Sequence, residues 1–243
     1  MEPFITKDGR YLFFNNSNDA EANTNLYFAE RLDDVTFRFK GEIAGVNSPE
    51  LDAVASMDSQ GNLYFVSTRS YAQTLSTIYR GHFANGTVTG VEIAPGISPK
   101  RPGIVNFDAE ISVDGSALFF VDGGLTGGPV PKSADLAIAE RDGAGFRRSP
   151  TSAEQLKNVN TNALEYAPGI SQDLLELFFT RVTSGGPAIY RATRANAKEP
   201  FGVAETVTAM SGFAEAPTLS CDGKSLYYHK REGSRFVIER VGR

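Results

Sequence analysis

One short phrase recurs five times in this chain and constrains its fold more than any other feature. Each copy has Ser or Thr, one further residue and Asp, followed by a strand that begins with Leu and two aromatic residues. The copies begin at Thr6, Ser56, Ser112, Ser171 and Ser220, and their leucines are Leu12, Leu63, Leu118, Leu177 and Leu226. The leucines are therefore 51, 55, 59 and 49 residues apart. This period is typical of four-stranded blades, so the repeat predicts an all-β, five-bladed β-propeller.

The chain has 243 residues, a length that closed β architectures reach as one domain. We therefore expect a single domain over residues 1–243, with blades at about 1–45, 46–95, 96–157, 158–208 and 209–243. The last blade has room for three strands before Arg243, so we expect it to be incomplete. Four strands are expected in each of the others.

The second strand of each repeat is a continuous apolar run, such as Tyr11-Leu12-Phe13-Phe14. A sheet with one wet face would alternate apolar and polar residues, so both faces of these strands are expected to be buried. Asp-Gly at 8–9, 114–115 and 222–223 predicts type I′ hairpin turns. The turn after Asp58 is expected to be one residue longer, and the turn at 172–174, which lacks glycine, is expected to be looser or bulged. A short helix is expected only near 152–157.

Composition excludes several classes of function. The formal net charge is −5, with 24 basic and 29 acidic residues. The sequence has no stripe of basic residues that could neutralise phosphates, so we expect no nucleic-acid partner. Cys221 is the only cysteine, which excludes an intramolecular disulfide. No apolar run reaches 18 residues and no secretory signal precedes the first repeat, so we expect no membrane span. We also expect the protein to be a monomer.

The repeats resemble those of a known family. The phrase Pro-x-Ile/Leu-Ser-x-Asp-Gly, seen at 217–223 and followed by Leu226-Tyr227-Tyr228, is similar to the WD40-like repeat of TolB-type propellers. Residues 189–194, with Pro200-Phe201-Gly202 further on, resemble the segment between strands in bacterial members. The resemblance implies a propeller fold, a periplasmic or secreted location and a role in binding. TolB has six blades and an additional N-terminal domain, so its lipoprotein partner does not carry over.

An acidic residue is expected just before the first strand of each repeat. First strands line the channel of a propeller, so these side chains are candidates for a ligand-binding site at the channel mouth. They are Glu2, Asp52, Asp108, Glu110, Glu165 and Glu215, with Tyr166 beside one of them. A real cluster of carboxylates would have raised pKa values or would recruit a cation such as calcium or a basic partner. The alternative is that each carboxylate accepts hydrogen bonds from nearby backbone amides. No other cofactor is expected.

The remaining polar candidates have simpler interpretations. The five turn aspartates are expected to cap their own turns. Arg69 and Arg181 follow second strands at corresponding places and are expected to pair with local carboxylates. His82 and His229, the two histidines, are expected at the surface or rim, because a shared zinc site would need more ligands. No nucleophile elbow, phosphate loop or His-Glu-x-x-His motif is present.

Two functions remain in competition. The first is a non-catalytic module that binds a peptide, glycan or partner protein at the channel mouth or at the loop face, where long loops are expected at 15–25, 123–133 and 183–187. The second is a glycan-active hydrolase that uses the channel carboxylates, since five-bladed propellers also house glycosidases.

Overall fold

The computed structural model describes residues 1–17, 23–125, 128 and 131–243. Blade one contains β1 (Phe4–Ile5), β2 (Tyr11–Asn15), β3 (Leu26–Arg31) and β4 (Phe37–Glu42). Blade two contains β5 (Asp52–Met57), β6 (Asn62–Ser67), β7 (Ile78–Ala84) and β8 (Thr87–Ile93), and blade three contains β9 (Ile104–Ile111), β10 (Ala117–Gly124), β11 (Ser133–Asp142) and β12 (Gly145–Arg148). Blade four contains β13 (Glu165–Ile170), β14 (Glu176–Thr183), β15 (Gly186–Thr193) and β16 (Glu205–Thr206), and blade five contains β17 (Ala214–Leu219), β18 (Ser225–Glu232) and β19 (Arg235–Gly242).

Five antiparallel sheets, each with its strands in chain order, form a five-bladed β-propeller. Four sheets have four strands and the last has three, which confirms both the blade count and the expected incomplete blade. The expected helix is present as α2 (Ser152–Gln155), and α1 (Tyr71–Thr74) is a second short helix that the sequence pattern did not indicate. Among the described residues, no helix has the length and hydrophobicity needed to cross a membrane.

The expected loops have different outcomes. Those at 15–25 and 123–133 lie in part outside the described residues. The segment at 183–187 is not a long loop, because Thr183 pairs with Gly186 at the end of the β14–β15 hairpin.

The turn that joins the first two strands of a blade differs from the type I′ prediction. In blade one the N–H of Gly9 donates to the carbonyl of Thr6 at 2.7 Å, and Gly9 has a φ of 70°. Asp8 keeps a negative φ, whereas a type I′ turn would need a positive one there. The Oδ1 atom of Asp8 accepts the hydroxyl of Thr6 at 2.5 Å and the N–H of Arg10 at 2.9 Å. The aspartate therefore caps its own turn, as expected, within a longer six-residue connection.

Blade two builds this turn with other residues. Its connection spans 58–62, one residue shorter than the 6–11 connection of blade one, so the expectation of a longer turn is wrong. Asp58 occupies the position of Thr6, and its Oδ1 accepts the N–H groups of Gln60 and Asn62, both at 2.9 Å.

In blade four the turn has the ordinary six residues, and Leu174 adopts the left-handed φ of 63° at the glycine position. That hairpin is therefore strained, not looser.

Neighbouring blades bury both faces of each second strand. Phe13 lies in a cluster with Phe83 of blade two, whereas the adjacent Leu12 packs with Tyr227 of blade five. In blade three, Phe119 packs with residues of blade four, while Leu118 and its neighbours pack with blade two. The five repeat leucines are all between 0 and 6% exposed. Burial of each such side chain contributes about 1.5–3 kcal/mol, so blade-to-blade packing is a main source of stability.

Gly169 lies against the innermost strand of the next blade. A Cβ at this position of β13 would lie 2.2 Å from the carbonyl oxygen of Pro217 on β17. We expect Gly169→Ala to destabilise the protein by about 1–3 kcal/mol, because the blades would have to separate. Thermal unfolding should show a lower Tm, with about 2–4 °C lost for each kcal/mol. Gly185→Ala is the matched control, since its Cβ would be 3.6 Å from the nearest atom, and an equal loss in both variants would contradict the explanation.

Candidate functional site

A bulge interrupts the innermost strand of four blades at the same place. The pairing register shifts in β5, β9, β13 and β17. In each blade, one residue at the level of the bulge adopts a left-handed backbone conformation. It lies four residues before the turn that joins the first and second strands. These residues are Glu2, Val54, Asp108, Ala167 and Ala216, with φ between 48° and 55°. A bulge re-aims the side chains next to it, so the side chains before and after this level point in different directions.

Two of the candidate carboxylates lie before the bulge and are held by internal partners. Asp52 is fully buried, and its Oδ1 accepts a hydrogen bond from Arg69 at 2.6 Å while Oδ2 accepts from the N–H and the hydroxyl of Ser48. Glu165 repeats the arrangement in blade four with Arg181, at 2.7 Å, and Thr161. The expected arginine–carboxylate pairs are thus present.

Glu2, Asp108 and Glu215 form a second group in the channel, in which the charges of Glu2 and Glu215 act on Asp108. They come from blades one, three and five and are each less than 10% exposed. The Oδ2 atom of Asp108 accepts the N–H of Ala167 at 2.9 Å. Burial, followed by the nearby charge of Glu2 and then Glu215, raises the pKa of Asp108 well above its ordinary value. This is the behaviour of carboxyl groups that share one desolvated site.

Tyr166 and His229 hold the Glu215 carboxylate from both sides. The Tyr166 hydroxyl donates to Oε1 of Glu215, and Nε2 of His229 lies 2.9 Å from Oε2. The Nδ1 atom of His229 accepts the backbone N–H of Glu2 at 3.1 Å, so the ring's Nε2 carries the proton that Glu215 accepts. Burial and then the charge of Glu215 raise the pKa of the Tyr166 hydroxyl, which therefore stays protonated as a donor.

His229 corrects one prediction. It is fully buried in the channel wall, not at the surface or rim, whereas His82 is exposed as expected. The repeat itself contained the signal, because His229 is three residues after Leu226. The residues three positions after the other repeat leucines are Asn15, Val66, Val121 and Thr180, and all of them are buried. Alignment of the repeats by their leucines would have placed this histidine inside.

Glu110 lies nearer the turn end of the channel, away from the other carboxylates. Its Oε1 accepts a hydrogen bond from the ammonium group of Lys7 at 3.0 Å, and its Oε2 accepts the hydroxyl of Ser56 at 2.7 Å. The side chains of Lys7 and Glu110 are both 6% exposed. Lys7 and Ser56 were not predicted as channel residues, although Lys7 is the only charged residue at its position in the five turns. This buried ion pair closes the lower part of the channel.

The cavity between these two levels is small. Its volume is about 30 Å³, and it is lined by Glu2, Asp108 and Glu110 together with apolar residues of all five blades. This volume corresponds to about one water molecule. The described residues include no group of three or more His, Cys, Asp or Glu side chains arranged to hold a metal ion.

Comparison with known proteins gives similarity in structure only. No protein-family model matches the sequence, and no curated protein sequence matches it. TolB from Acinetobacter baumannii superposes with a TM-score of 0.54 at 18% identity, over 97% of this chain and 51% of that chain. A structure described as a glycoside hydrolase gives a TM-score of 0.69 at 12% identity, over 99% of this chain and 87% of that one. The catalytic domain of the GH62 α-L-arabinofuranosidase of Coprinopsis cinerea gives 0.66 at 12% identity, over 99% and 89%.

The likeness is one of fold. The resemblance to TolB-type propellers holds at this level, and the chain spans about half the length of the TolB structure. Glycoside hydrolases share the same architecture, so the fold does not choose between binding and hydrolysis.

The first group of carboxylates is expected to be structural. Arg69→Met would leave Asp52 buried without its cation, which typically costs about 3–5 kcal/mol. The double variant Asp52→Asn/Arg69→Met should recover part of this loss, because no buried charge remains. Urea denaturation measures both. Arg191→Met removes a more exposed partner of Glu176 and should cost no more than about 1 kcal/mol, so a comparable loss there would contradict the assignment.

The raised pKa of Asp108 predicts a pH-dependent stability. A carboxyl group whose pKa is higher in the folded than in the unfolded state binds more protons when folded, so stability falls as pH rises from about 3.8 through the folded pKa. Asp108→Asn removes this fall. We expect the variant to have a higher Tm than the wild type at neutral pH and the same Tm below about pH 3.8.

Thermal unfolding across this pH range tests the expectation. Asp34→Asn, which removes the same charge from a side chain that is 91% exposed, controls for net charge. If Asp108→Asn is less stable than the wild type at neutral pH, the carboxylate is stabilising in its ionised form and the pKa direction is wrong.

Proposed function

We propose that this protein is a non-catalytic binding module that holds a peptide or partner protein at the channel mouth, with a positively charged group of the ligand above Glu2, Asp108 and Glu215. The convergence of these three carboxyl groups from three blades carries the proposal. Burial, followed by the charges of Glu2 and then Glu215, raises the pKa of Asp108, and a cation at the mouth would offset the repulsion among the three carboxyl groups. Tyr166 and His229 orient Glu215 so that the group is preorganised.

The small cavity supports binding over catalysis. A pocket for a small molecule usually has about 300–1,000 Å³, and a sugar ring would not enter a volume of about 30 Å³. A lysine or arginine side chain needs only its terminal group at the mouth. We also propose a periplasmic or secreted location, which the TolB resemblance implies, together with a monomeric state and a bound calcium ion.

Glycan hydrolysis is the competing function, and one observation favours it. A buried carboxyl group with a raised pKa, as burial and then the charges of Glu2 and Glu215 give Asp108, is the arrangement that a general acid in a glycosidase requires. The glycoside hydrolases with this fold provide the scaffold by analogy. The test of the proposed function therefore measures both binding and hydrolysis.

The experiment screens lysine-containing peptides, their acetyl-lysine counterparts and glycan fragments by calorimetry, with and without calcium. Lysine peptides are expected to bind and acetyl-lysine peptides are not. Asp108→Asn and Glu215→Gln should each weaken binding by about tenfold or more, whereas Asp34→Asn should have little effect. Affinity should increase as pH rises through the raised pKa of Asp108, because only the ionised carboxylate attracts the ammonium group.

Below that pKa the ligand should release a proton from Asp108, which appears as a dependence of the binding enthalpy on the buffer. Equal binding by both mouth variants and the wild type would remove the channel mouth from consideration. Hydrolysis of an aryl glycoside that is lost in Asp108→Asn would instead identify the protein as an enzyme.

A further inference from the structure

Blade five exposes a strand edge that the other blades cover. In blades one to four the third strand pairs with a fourth strand: β3 with β4, β7 with β8, β11 with β12 and β15 with β16. The third strand of blade five, β19, pairs only with β18 among the described residues. Because Arg243 N donates to Lys224 O, alternate N–H and C=O groups of β19 point to the free edge, namely those of Phe236, Ile238, Arg240 and Gly242.

The neighbouring blade shows how this edge is normally covered. The fourth strands of blades one to three pack on the blade before them. Phe146 of β12 contacts Tyr64 of blade two with ring centroids 5.6 Å apart, and Val88 of β8 lies in the cluster of blade one. Phe37 of β4 contacts Tyr227 of blade five at 6.1 Å. The next residue on the same face of β4, Phe39, is 63% exposed.

Phe39 belongs to an aromatic surface. Its ring lies 6.2 Å from that of Phe14 and 6.0 Å from that of Tyr27, and the latter two rings are 6.1 Å apart. On β19 the half-buried Ile238 packs beside this face with Leu12 and Tyr227. Phe14 and Ile238 therefore pack on the same buried residues. We give the name blade-five groove to the surface formed by Phe14, Tyr27, Phe39 and the free edge of β19.

Charge indicates what kind of chain would fill the groove. Residues 224–243, which form the β18–β19 hairpin and its ends, contain six Lys or Arg and two Glu, a net charge of +4 in a chain whose net charge is −5. Arg235 and Arg240, both exposed on β19, form no ion pair with any described residue. The edge is therefore basic on an otherwise acidic protein, and it attracts acidic segments.

We propose that the blade-five groove binds an extended acidic segment of a partner protein, which pairs with β19 as the fourth strand of the blade. Backbone hydrogen bonds to the four outward-facing residues supply affinity, and alternate apolar side chains of the segment cover Phe39 and its neighbours. Side chains alternate between the two faces of a strand, so acidic residues at the remaining positions of the segment meet Arg235, and an acidic residue at the end of the segment meets Arg240, which lies on the face of Ile238. This site is separate from the channel mouth and has the opposite charge.

A displayed library of random decapeptides selected on the intact protein tests the proposal. We expect enrichment of sequences that are net negative and apolar at alternate positions. The best peptide should lose binding when alternate backbone nitrogens are methylated, because strand pairing needs those N–H groups. Binding should also weaken as salt is raised. Absence of such enrichment, or equal binding of the methylated peptide, would overturn the proposal.

Three variants locate the site. Arg240→Pro removes an outward N–H from a position where an edge strand tolerates proline, and it should abolish binding. Arg240→Ala keeps the N–H and should lose only about two- to threefold. Phe39→Ser should weaken binding by about tenfold or more. Each variant should keep the wild-type Tm, and Asp108→Asn should bind as the wild type does, which separates this site from the channel mouth.

Sedimentation of the protein without peptide tests whether a second copy of this chain, instead of a partner protein, occupies the groove. A dimer that Arg240→Pro dissociates would show that a second copy of this chain fills the groove, and this would overturn the assignment to a partner protein. A monomer at the concentrations of the binding assay supports it.

Discussion

Burial of both faces of every sheet by its two neighbours is the constraint on which the rest of this structure depends. Consecutive residues of a second strand serve opposite neighbours, as Leu12 and Phe13 do, so neither face tolerates a run of polar side chains. The ring is closed by this packing, because blade five has no fourth strand from another part of the described chain. Close packing leaves little room in the channel, where Gly169 already touches the next innermost strand.

The bulge level divides side chains of similar sequence into different roles. Asp52 and Glu165 come before the bulge and point to arginines of their own blades, where each charge is neutralised. Glu2 and Asp108 are the left-handed residues at this level and Glu215 is adjacent to one, and the charges of Glu2 and Glu215 act on Asp108. A difference of one or two residues in register therefore separates carboxylates that pair with arginines from carboxylates that gather in the channel.

The sequence predicted the blade count, the order of strands and the incomplete last blade, because the repeat of leucines and aromatic residues records the packing directly. The predictions from sequence were wrong where the position of a residue in the tertiary structure determines the role of its side chain. Ser56 matches the repeat phrase, yet Asp58 performs the turn's hydrogen bonding, since a one-residue deletion is invisible in the motif. The lack of further metal ligands near His229 predicts a surface or rim position, whereas its place in the repeat indicates the burial that is found. The division of the carboxylates depended on bulges, which leave no clear mark in sequence.

The distribution of charge follows from the same geometry. Carboxyl groups can lie close together in the channel because Tyr166 and His229 donate to Glu215. Burial and then the charges of Glu2 and Glu215 raise the pKa of Asp108, which lowers the cost of its desolvation. Basic residues gather at the blade-five hairpin, where the strand is largely exposed to solvent. The two proposed binding surfaces therefore differ in charge, one acidic on the propeller axis and one basic on its rim. The two surfaces share blade five, since Glu215 and His229 lie on its first two strands and the free edge on its third.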